Sequence, residues 1–132
     1  MRPIPPGTRG SFTLVVKPAQ LASQFKDATL PPVLATPVMI MAMENAALNA
    51  IRPYLEPSET ALGTAVDVRH LAATPAGQRV RAEAEVTKVD GRRVEFKVSA
   101  HDESEQIGRG THERMIVDYE RIERRLTAKQ KP

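Results

Sequence analysis

Cysteine and tryptophan are absent from this 132-residue sequence, and histidine and aromatic residues are scarce. Without cysteine the chain has no disulfide, no thiolate nucleophile and no cysteine-ligated metal site. The three histidines, His70, His101 and His112, are dispersed along the chain, which argues against a histidine-rich metal site. Three phenylalanines and two tyrosines leave little material for stacking nucleic-acid bases. We therefore expect no metal, no bound cofactor and no nucleic-acid partner.

The excess of positive over negative charge lies at one end of the chain. The net charge is +3, and residues 119–132 hold five basic and two acidic residues, which is the whole excess. The rest of the chain is balanced, so no basic stripe of the kind that binds nucleic acid is expected on the folded body. We interpret residues 119–132 as a charged, solvated helix and tail.

Long apolar runs are also missing. No stretch approaches the ~20 apolar residues that span a bilayer. The first residues are rich in proline and lack the apolar core of a signal peptide. We therefore expect a cytoplasmic protein with no membrane partner.

The first half of the chain predicts one strand and one long helix. Residues 1–10 are rich in proline and glycine and are expected to be irregular, and 11–16 form a β-prone run. Thr36 before Pro37 predicts a helix start with the threonine hydroxyl as N-cap. The run that follows is rich in helix formers as far as residue 52. It is mostly apolar, with one narrow polar stripe of Asn45, Asn49 and Arg52.

The second half predicts four antiparallel strands. The apolar residues alternate in four successive segments, 65–71, 80–86, 94–100 and 107–117. Asp90-Gly91 is a strong hairpin signal between the second and third of them. The pattern predicts a single α+β domain over residues 1–132, with a five-stranded sheet and one long helix. Because one helix covers only one face of such a sheet, we also expect the chain to dimerise.

Three polar residues stand out as candidates for chemistry. Glu44 lies within the apolar helix, where it is either a partly exposed residue at the edge of the polar stripe or a general base. His70 continues the apolar face of its strand, as a hydrogen-bonded core histidine would. Thr36 is either an N-cap or part of an oxyanion site at the helix start. His101 and His112 fall in hydrophilic strand ends, which predicts surface or structural roles.

Six short segments, in this order, resemble the fluoroacetyl-CoA thioesterase-like family of hotdog-fold thioesterases. Each segment is weak alone, and the ordered set is specific over residues 8–122. The segments are ATPVM (35–39), MENAA (43–47), LGTAVDVRHLAATP (62–75), VDGRR (89–93), SAHDE (99–103) and IGRGTHER (107–114).

The resemblance implies a fold, an activity and a site. The implied fold is a hotdog, a five-stranded antiparallel sheet wrapped around one long central helix, in a homodimer. The implied activity is hydrolysis of a small acyl-CoA thioester at the dimer interface, with the CoA moiety entering as part of the substrate. The family's catalytic threonine, glutamate and histidine correspond to Thr36, Glu44 and His70, and its active-site glycine to Gly63.

The resemblance also bears on substrate binding. The aromatic lid residues of the fluoroacetyl-selective enzyme align with Asp27 and Leu30, so the hydrolytic site is expected here without that lid. CoA phosphates require cationic contacts, and Arg92, Arg93 and Arg109 are the candidates.

Several routes stay open at this level. Glu44 either activates water or attacks the thioester, and Thr36 either hydrogen-bonds the intermediate or is itself the nucleophile. Thr36 and Glu44 lie ~12 Å apart along a straight helix. The chain therefore either folds back at Thr36, or the site combines groups from both subunits. The alternatives to a thioesterase are a non-catalytic acyl-CoA-binding hotdog module and a hotdog hydratase or dehydratase.

Overall fold

The computed structural model describes residues 1–131, and Pro132 at the end of the predicted tail lies outside it. Five strands form the sheet: β1 (Arg9–Val15), β2 (Glu59–His70), β3 (Arg79–Asp90), β4 (Arg93–His101) and β5 (Gln106–Asp118). The helices are α1 (Ala22–Phe25), α2 (Thr36–Ile51) and α3 (Tyr119–Gln130). Short 3-10 turns at Pro18–Gln20 and Arg52–Tyr54 precede α1 and follow α2.

The five predicted strands form one antiparallel sheet in the order β1-β3-β4-β5-β2. Each strand lies where the sequence predicts it, and β2 and β3 extend by several residues beyond the predicted ranges. Strand β1 begins at Arg9, so the irregular N-terminal segment is shorter than expected. The predicted hairpin joins β3 to β4, and Gly91 there has a φ of 61°, a value that suits glycine.

Helix α2 lies against the concave face of the sheet and contacts all five strands. Its apolar residues explain this enclosure, because eight of them are buried. They are Val38, Met39, Ala42, Met43, Ala46, Ala47, Ala50 and Ile51. Burial of this face removes a large apolar area from water and is the main source of stability available to so small a sheet.

The predicted N-cap role of Thr36 is wrong. Ala35 is the N-cap, with extended backbone angles, and no side chain caps the helix there. Thr36 is the first helical residue and Pro37 the second, so the proline still occupies the first turn where its missing N–H is tolerated. The hydroxyl of Thr36 is consequently free of the helix backbone.

The polar stripe of α2 meets the outer strand β1. The Asn49 side chain donates to the Ser11 carbonyl at 2.9 Å, and Arg52 donates to the Asn49 side-chain oxygen at 3.3 Å. Gly10 on β1 lies so close to α2 that a Cβ there would clash with the backbone of Ala46 and Ala50. Only glycine allows this approach.

Strand β2 forms the other edge of the sheet and is irregular. Its register against β5 shifts between Gly63 and Ala65, so Thr64 is the extra residue of a β-bulge. The stretch around the bulge is exposed, including the apolar side chains of Leu62 (41% exposed) and Val66 (42% exposed). This edge therefore presents unpaired backbone groups together with apolar surface.

The charged C-terminal segment forms helix α3, as its composition predicts. Asp118 accepts hydrogen bonds from the backbone amides of Glu120 and Arg121 and caps the helix. None of its residues is buried. Within residues 1–131, no helix combines the length and the hydropathy required to cross a membrane.

The packing of β1 on α2 can be tested at Gly10. A Gly10→Val substitution should lower the free energy of unfolding by about 1–3 kcal/mol, because the added side chain meets helix backbone that cannot move aside. Urea denaturation measures this. The control is Thr13→Ala, at an exposed position of the same strand, which should stay within about 0.5 kcal/mol of the wild type. Unchanged stability in Gly10→Val would contradict the close packing.

Candidate active site

Thr36 and His70 form a hydrogen-bonded pair where the start of α2 meets the end of β2. Their side chains approach at 2.8 Å, between Thr36 Oγ1 and His70 Nδ1. Thr36 is exposed, so its hydroxyl is accessible to a ligand, while His70 is half-buried. The two residues lie 34 positions apart in the sequence, and only the fold brings them together.

Burial sets the protonation state of His70. Partial burial lowers the pKa of the ring below its usual value, and the nearby backbone of Ala72 opposes this shift. The ring is therefore neutral at neutral pH and can accept a proton. Its Nε2 atom is buried and has no partner within the described residues.

A cavity of about 430 Å³ adjoins the pair. Thr36, His70 and Leu30 all line it, so the fold places the predicted substrate-binding residue Leu30 beside the pair. Asp27 binds Thr29 instead, through the backbone amide at 2.9 Å and the hydroxyl at 2.8 Å. The rest of the lining is largely apolar, and its single cation is Lys26.

The start of α2 offers fewer free amides than a typical helix. The amides of Val38 and Met39 both donate to the Ala35 carbonyl, and Pro37 has no N–H. The Thr36 amide alone in this first turn has no acceptor among the described residues. An oxyanion at this end of the helix would therefore be bound by the amide and the hydroxyl of one residue.

Glu44 belongs to a second group of side chains, beside the β2 bulge. Its Oε2 atom lies 3.6 Å from Arg114 Nη1, and its side chain is 38% exposed. A Cβ on Gly63 would lie 2.8 Å from the same oxygen, so the absence of a side chain at Gly63 makes room for the carboxylate. Glu44 is thus a partly exposed carboxylate that lies between the Arg114 guanidinium and the space left by the missing side chain of Gly63.

His112 completes this second group. Its Nδ1 lies 2.8 Å from the Ala65 carbonyl, and its Nε2 lies 3.2 Å from Arg114 Nη1. The residue is 3% exposed, and its ring stacks on Phe96 with 5.7 Å between centroids. His112 therefore lies in the middle of β5 and not at a hydrophilic strand end, whereas His101 is exposed as expected.

The structure does not join the two groups within one protomer. Helix α2 runs without interruption from Thr36 past Glu44, so ~12 Å of helix axis separates these residues. This excludes the expectation that the chain folds back at Thr36. One chain therefore presents two separate groups of candidate residues, Thr36 with His70 and Glu44 with Gly63.

The predicted phosphate contacts lie elsewhere. Arg92 binds Glu59 at 3.0 Å, and Arg93 binds Asp90 at 3.1 Å at the β3–β4 turn. Arg93 also approaches Glu113, which lies between His112 and Arg114 on β5 and so faces the opposite side of the sheet. Neither arginine reaches Glu44 or His70 in this protomer.

His112 and Arg114 are the site residues that sequence reasoning missed. The available signal was the alternation of β5, which places Gly108, Gly110, His112 and Arg114 on the same face as the buried Ile116. Two glycines on an inward face indicate the close approach of another element. Among residues 1–131, no group of three or more histidine, aspartate and glutamate side chains could hold a metal ion.

The chain is similar to proteins of known family. The model of the family FlK, fluoroacetyl-CoA-specific thioesterase, matches residues 16–120. A fluoroacetyl-CoA thioesterase of Streptantibioticus cattleyicolor is 47% identical over 102 residues, which cover 77% of this chain and 73% of that protein. The family that the sequence segments suggest is thereby confirmed.

Solved structures agree with this assignment. A structure of the fluoroacetyl-CoA thioesterase FlK is 39% identical, with a TM-score of 0.91 over 98% of this chain and 99% of that one. A hypothetical protein of Thermus thermophilus, described as a thioesterase superfamily member, is 37% identical, with a TM-score of 0.88 over 98% and 97%. The predicted hotdog fold is confirmed, and the chain belongs to the fluoroacetyl-CoA-specific thioesterase family of thioester hydrolases.

Proposed function

We propose that the protein is a homodimer that hydrolyses a small acyl-CoA thioester to the free acid and CoA. Each active site would combine Thr36 and His70 of one protomer with Glu44 and Gly63 of its partner. The observation that carries this proposal is the pair of partial sites on one chain. A thioester carbonyl cannot touch groups ~12 Å apart, so one protomer offers no complete site.

The edge strand β2 supports the shared site. Gly63 lies near the bulge of this strand and His70 at its end. If two copies of β2 pair antiparallel about a two-fold axis, the Gly63 end of one strand runs beside the His70 end of the other. The same pairing covers the exposed Leu62 and Val66 and satisfies the free backbone groups of the edge.

The chemistry follows from the groups assembled in this way. The thioester oxygen would accept hydrogen bonds from the Thr36 amide and hydroxyl, which stabilises the negative charge of the tetrahedral intermediate. Glu44 would either take a proton from water as its oxygen attacks the carbonyl carbon, or attack that carbon itself. When the C–S bond breaks, the thiolate of CoA would take up the proton that Glu44 removed from water or, if Glu44 itself attacked, a proton from solvent. The neutral His70 ring would orient the Thr36 hydroxyl through its Nδ1.

We propose that the cavity beside His70 binds the acyl group of the substrate. The cavity is open to solvent, and most of its lining residues are apolar, which suits the acyl group of a CoA thioester. A solved variant of FlK, 42% identical, holds fluoroacetate and CoA. Asp27 and Leu30 replace the aromatic lid here, so we propose that this enzyme accepts acetyl-CoA as well as fluoroacetyl-CoA. A CoA substrate and a chain without cysteine both fit a cytoplasmic enzyme.

Glu44→Gln tests the assigned chemistry. It should lower kcat by about 10²- to 10⁴-fold, because the amide can neither accept the proton nor attack the carbonyl. Release of free thiol from a panel of short acyl-CoAs, fluoroacetyl-CoA included, measures both turnover and selectivity. The control is Glu105→Gln, an exposed loop residue, which should behave like the wild type.

Two results of that assay would count against the proposal. Unchanged hydrolysis by Glu44→Gln would overturn the role of Glu44, and binding of acyl-CoA without turnover would identify a non-catalytic binding module. Single-turnover hydrolysis in ¹⁸O-labelled water and trapping with hydroxylamine together test the two routes. Label within the protein at Glu44, or a hydroxamate formed on Glu44, marks attack by the carboxylate, whereas label in the released acid with no trapped adduct on Glu44 marks attack by water.

Complementation between inactive variants tests the shared site. Thr36→Val and Glu44→Gln chains carrying different tags are co-expressed, and heterodimers are isolated through both tags. If sites are shared, one of the two sites in each heterodimer has all its native groups, so activity should return to about half that of the wild type. Heterodimers of Thr36→Val with His70→Asn, altered in the same partial site, should stay inactive. Failure of the first pair to recover activity would show that each protomer works alone.

A further inference from the structure

Two side chains of β5 bridge the bulge of β2 from the inner face of the sheet. Arg114 donates through Nη2 to the Ala61 carbonyl at 2.8 Å, on one side of the bulge. His112 meets the Ala65 carbonyl at 2.8 Å, on the other side. Arg114 and His112 also contact each other, so they form one buried connection around Gly63. On the helix side, Arg114 Nη1 lies 3.6 Å from Oε2 of Glu44, which belongs to α2.

The hydrogen-bond partners of His112 determine its tautomer. A carbonyl oxygen can only accept, so Nδ1 must carry a proton toward Ala65. A guanidinium can only donate, so Nε2 must be an unprotonated acceptor for Arg114. Both contacts are made only if the ring is neutral with its proton on Nδ1. An imidazolium would place two donors face to face at 3.2 Å.

We propose that His112, as this neutral ring, is a positioning residue for the reaction of Glu44. It supplies the acceptor that fixes the Arg114 guanidinium with Nη1 turned toward Glu44 Oε2 and Nη2 on the Ala61 carbonyl. This inference rests on the proposed catalytic role of Glu44. Without the acceptor, Arg114 keeps one backbone partner and can swing about it, and the carboxylate loses its fixed neighbour.

The charges around His112 are consistent with a neutral ring. Burial and the nearby Arg114 lower its pKa, while the Ala65 carbonyl on β2, Glu44 on α2 and Glu113 on β5 oppose the shift. From β4, the neighbouring ring of Phe96 contributes no charge. The net effect lowers the pKa of His112 and favours the neutral ring, which leaves Nε2 available to accept from Arg114.

Two substitutions separate positioning from simple packing. His112→Gln keeps a donor and an acceptor on one amide, whereas His112→Leu keeps neither. We expect His112→Leu to lower kcat about 10- to 100-fold with little change in KM, because the reacting carboxylate is misplaced while substrate contacts remain. His112→Gln should recover most of this loss. His101→Leu and His101→Gln, at an exposed position, are the matched controls and should equal the wild type.

Nuclear magnetic resonance provides a readout that needs no turnover. With only three histidines in the chain, ¹⁵N chemical shifts of the ring nitrogens can be assigned from the single variants. We expect the tautomer with the proton on Nδ1 for His112 at neutral pH. Arg114→Met removes the neighbouring cation and should raise the pKa of His112.

The outcomes distinguish this inference from the function on which it rests. A proton on Nε2 of His112 in the folded wild type would overturn the inference, as would wild-type kcat in His112→Leu. A folded His112→Gln enzyme as impaired as His112→Leu would also overturn it, and thermal unfolding checks that both are folded. Unimpaired hydrolysis by Glu44→Gln would instead overturn the role of Glu44, and with it the positioning role of His112.

Discussion

The enclosure of one almost wholly apolar helix by a five-stranded sheet is the constraint on which the rest of this molecule depends. Eight residues of α2 are buried, and β1 approaches the helix closely enough to require glycine at position 10. Polar side chains of such a helix can be solvated only where the sheet ends. Asn49 meets the outer strand β1, and Glu44 emerges at the opposite edge, beside β2.

Placing a carboxylate at the edge of a sheet gives it a partly apolar, partly polar setting. The bulge in β2 opens a space at Gly63, and Arg114 brings a buried guanidinium to the carboxylate from the neighbouring strand. A buried cation requires partners for its donors, and the His112 ring and the Ala61 carbonyl accept from Nη1 and Nη2, while Nε has no partner among the described residues. The irregularity of the edge strand is therefore part of the candidate site, and bulges are common next to active sites.

Sequence reasoning succeeded where a pattern is local. Strand alternation, the Asp90-Gly91 turn and the helix composition each depend on neighbouring residues, and the structure confirms all three. It failed at Thr36, where hydroxyl followed by proline suggested an N-cap, because Ala35 takes that position and the hydroxyl bonds instead to His70. A residue 34 positions away competes for the hydroxyl, and no local rule can include it.

The α+β class, the long apolar helix and, through the resemblance of six ordered segments, the family all follow from the sequence alone. These three properties can be inferred from the sequence because hydrophobic periodicity and short motifs involve residues that are close together along the chain. The contacts of Glu44 with Arg114, of His112 with Ala65 and of Thr36 with His70 are set by the tertiary structure, because each of them joins two separate elements. The straight path of α2 between Thr36 and Glu44, which keeps the two groups of candidate residues apart, is likewise a property of the folded helix.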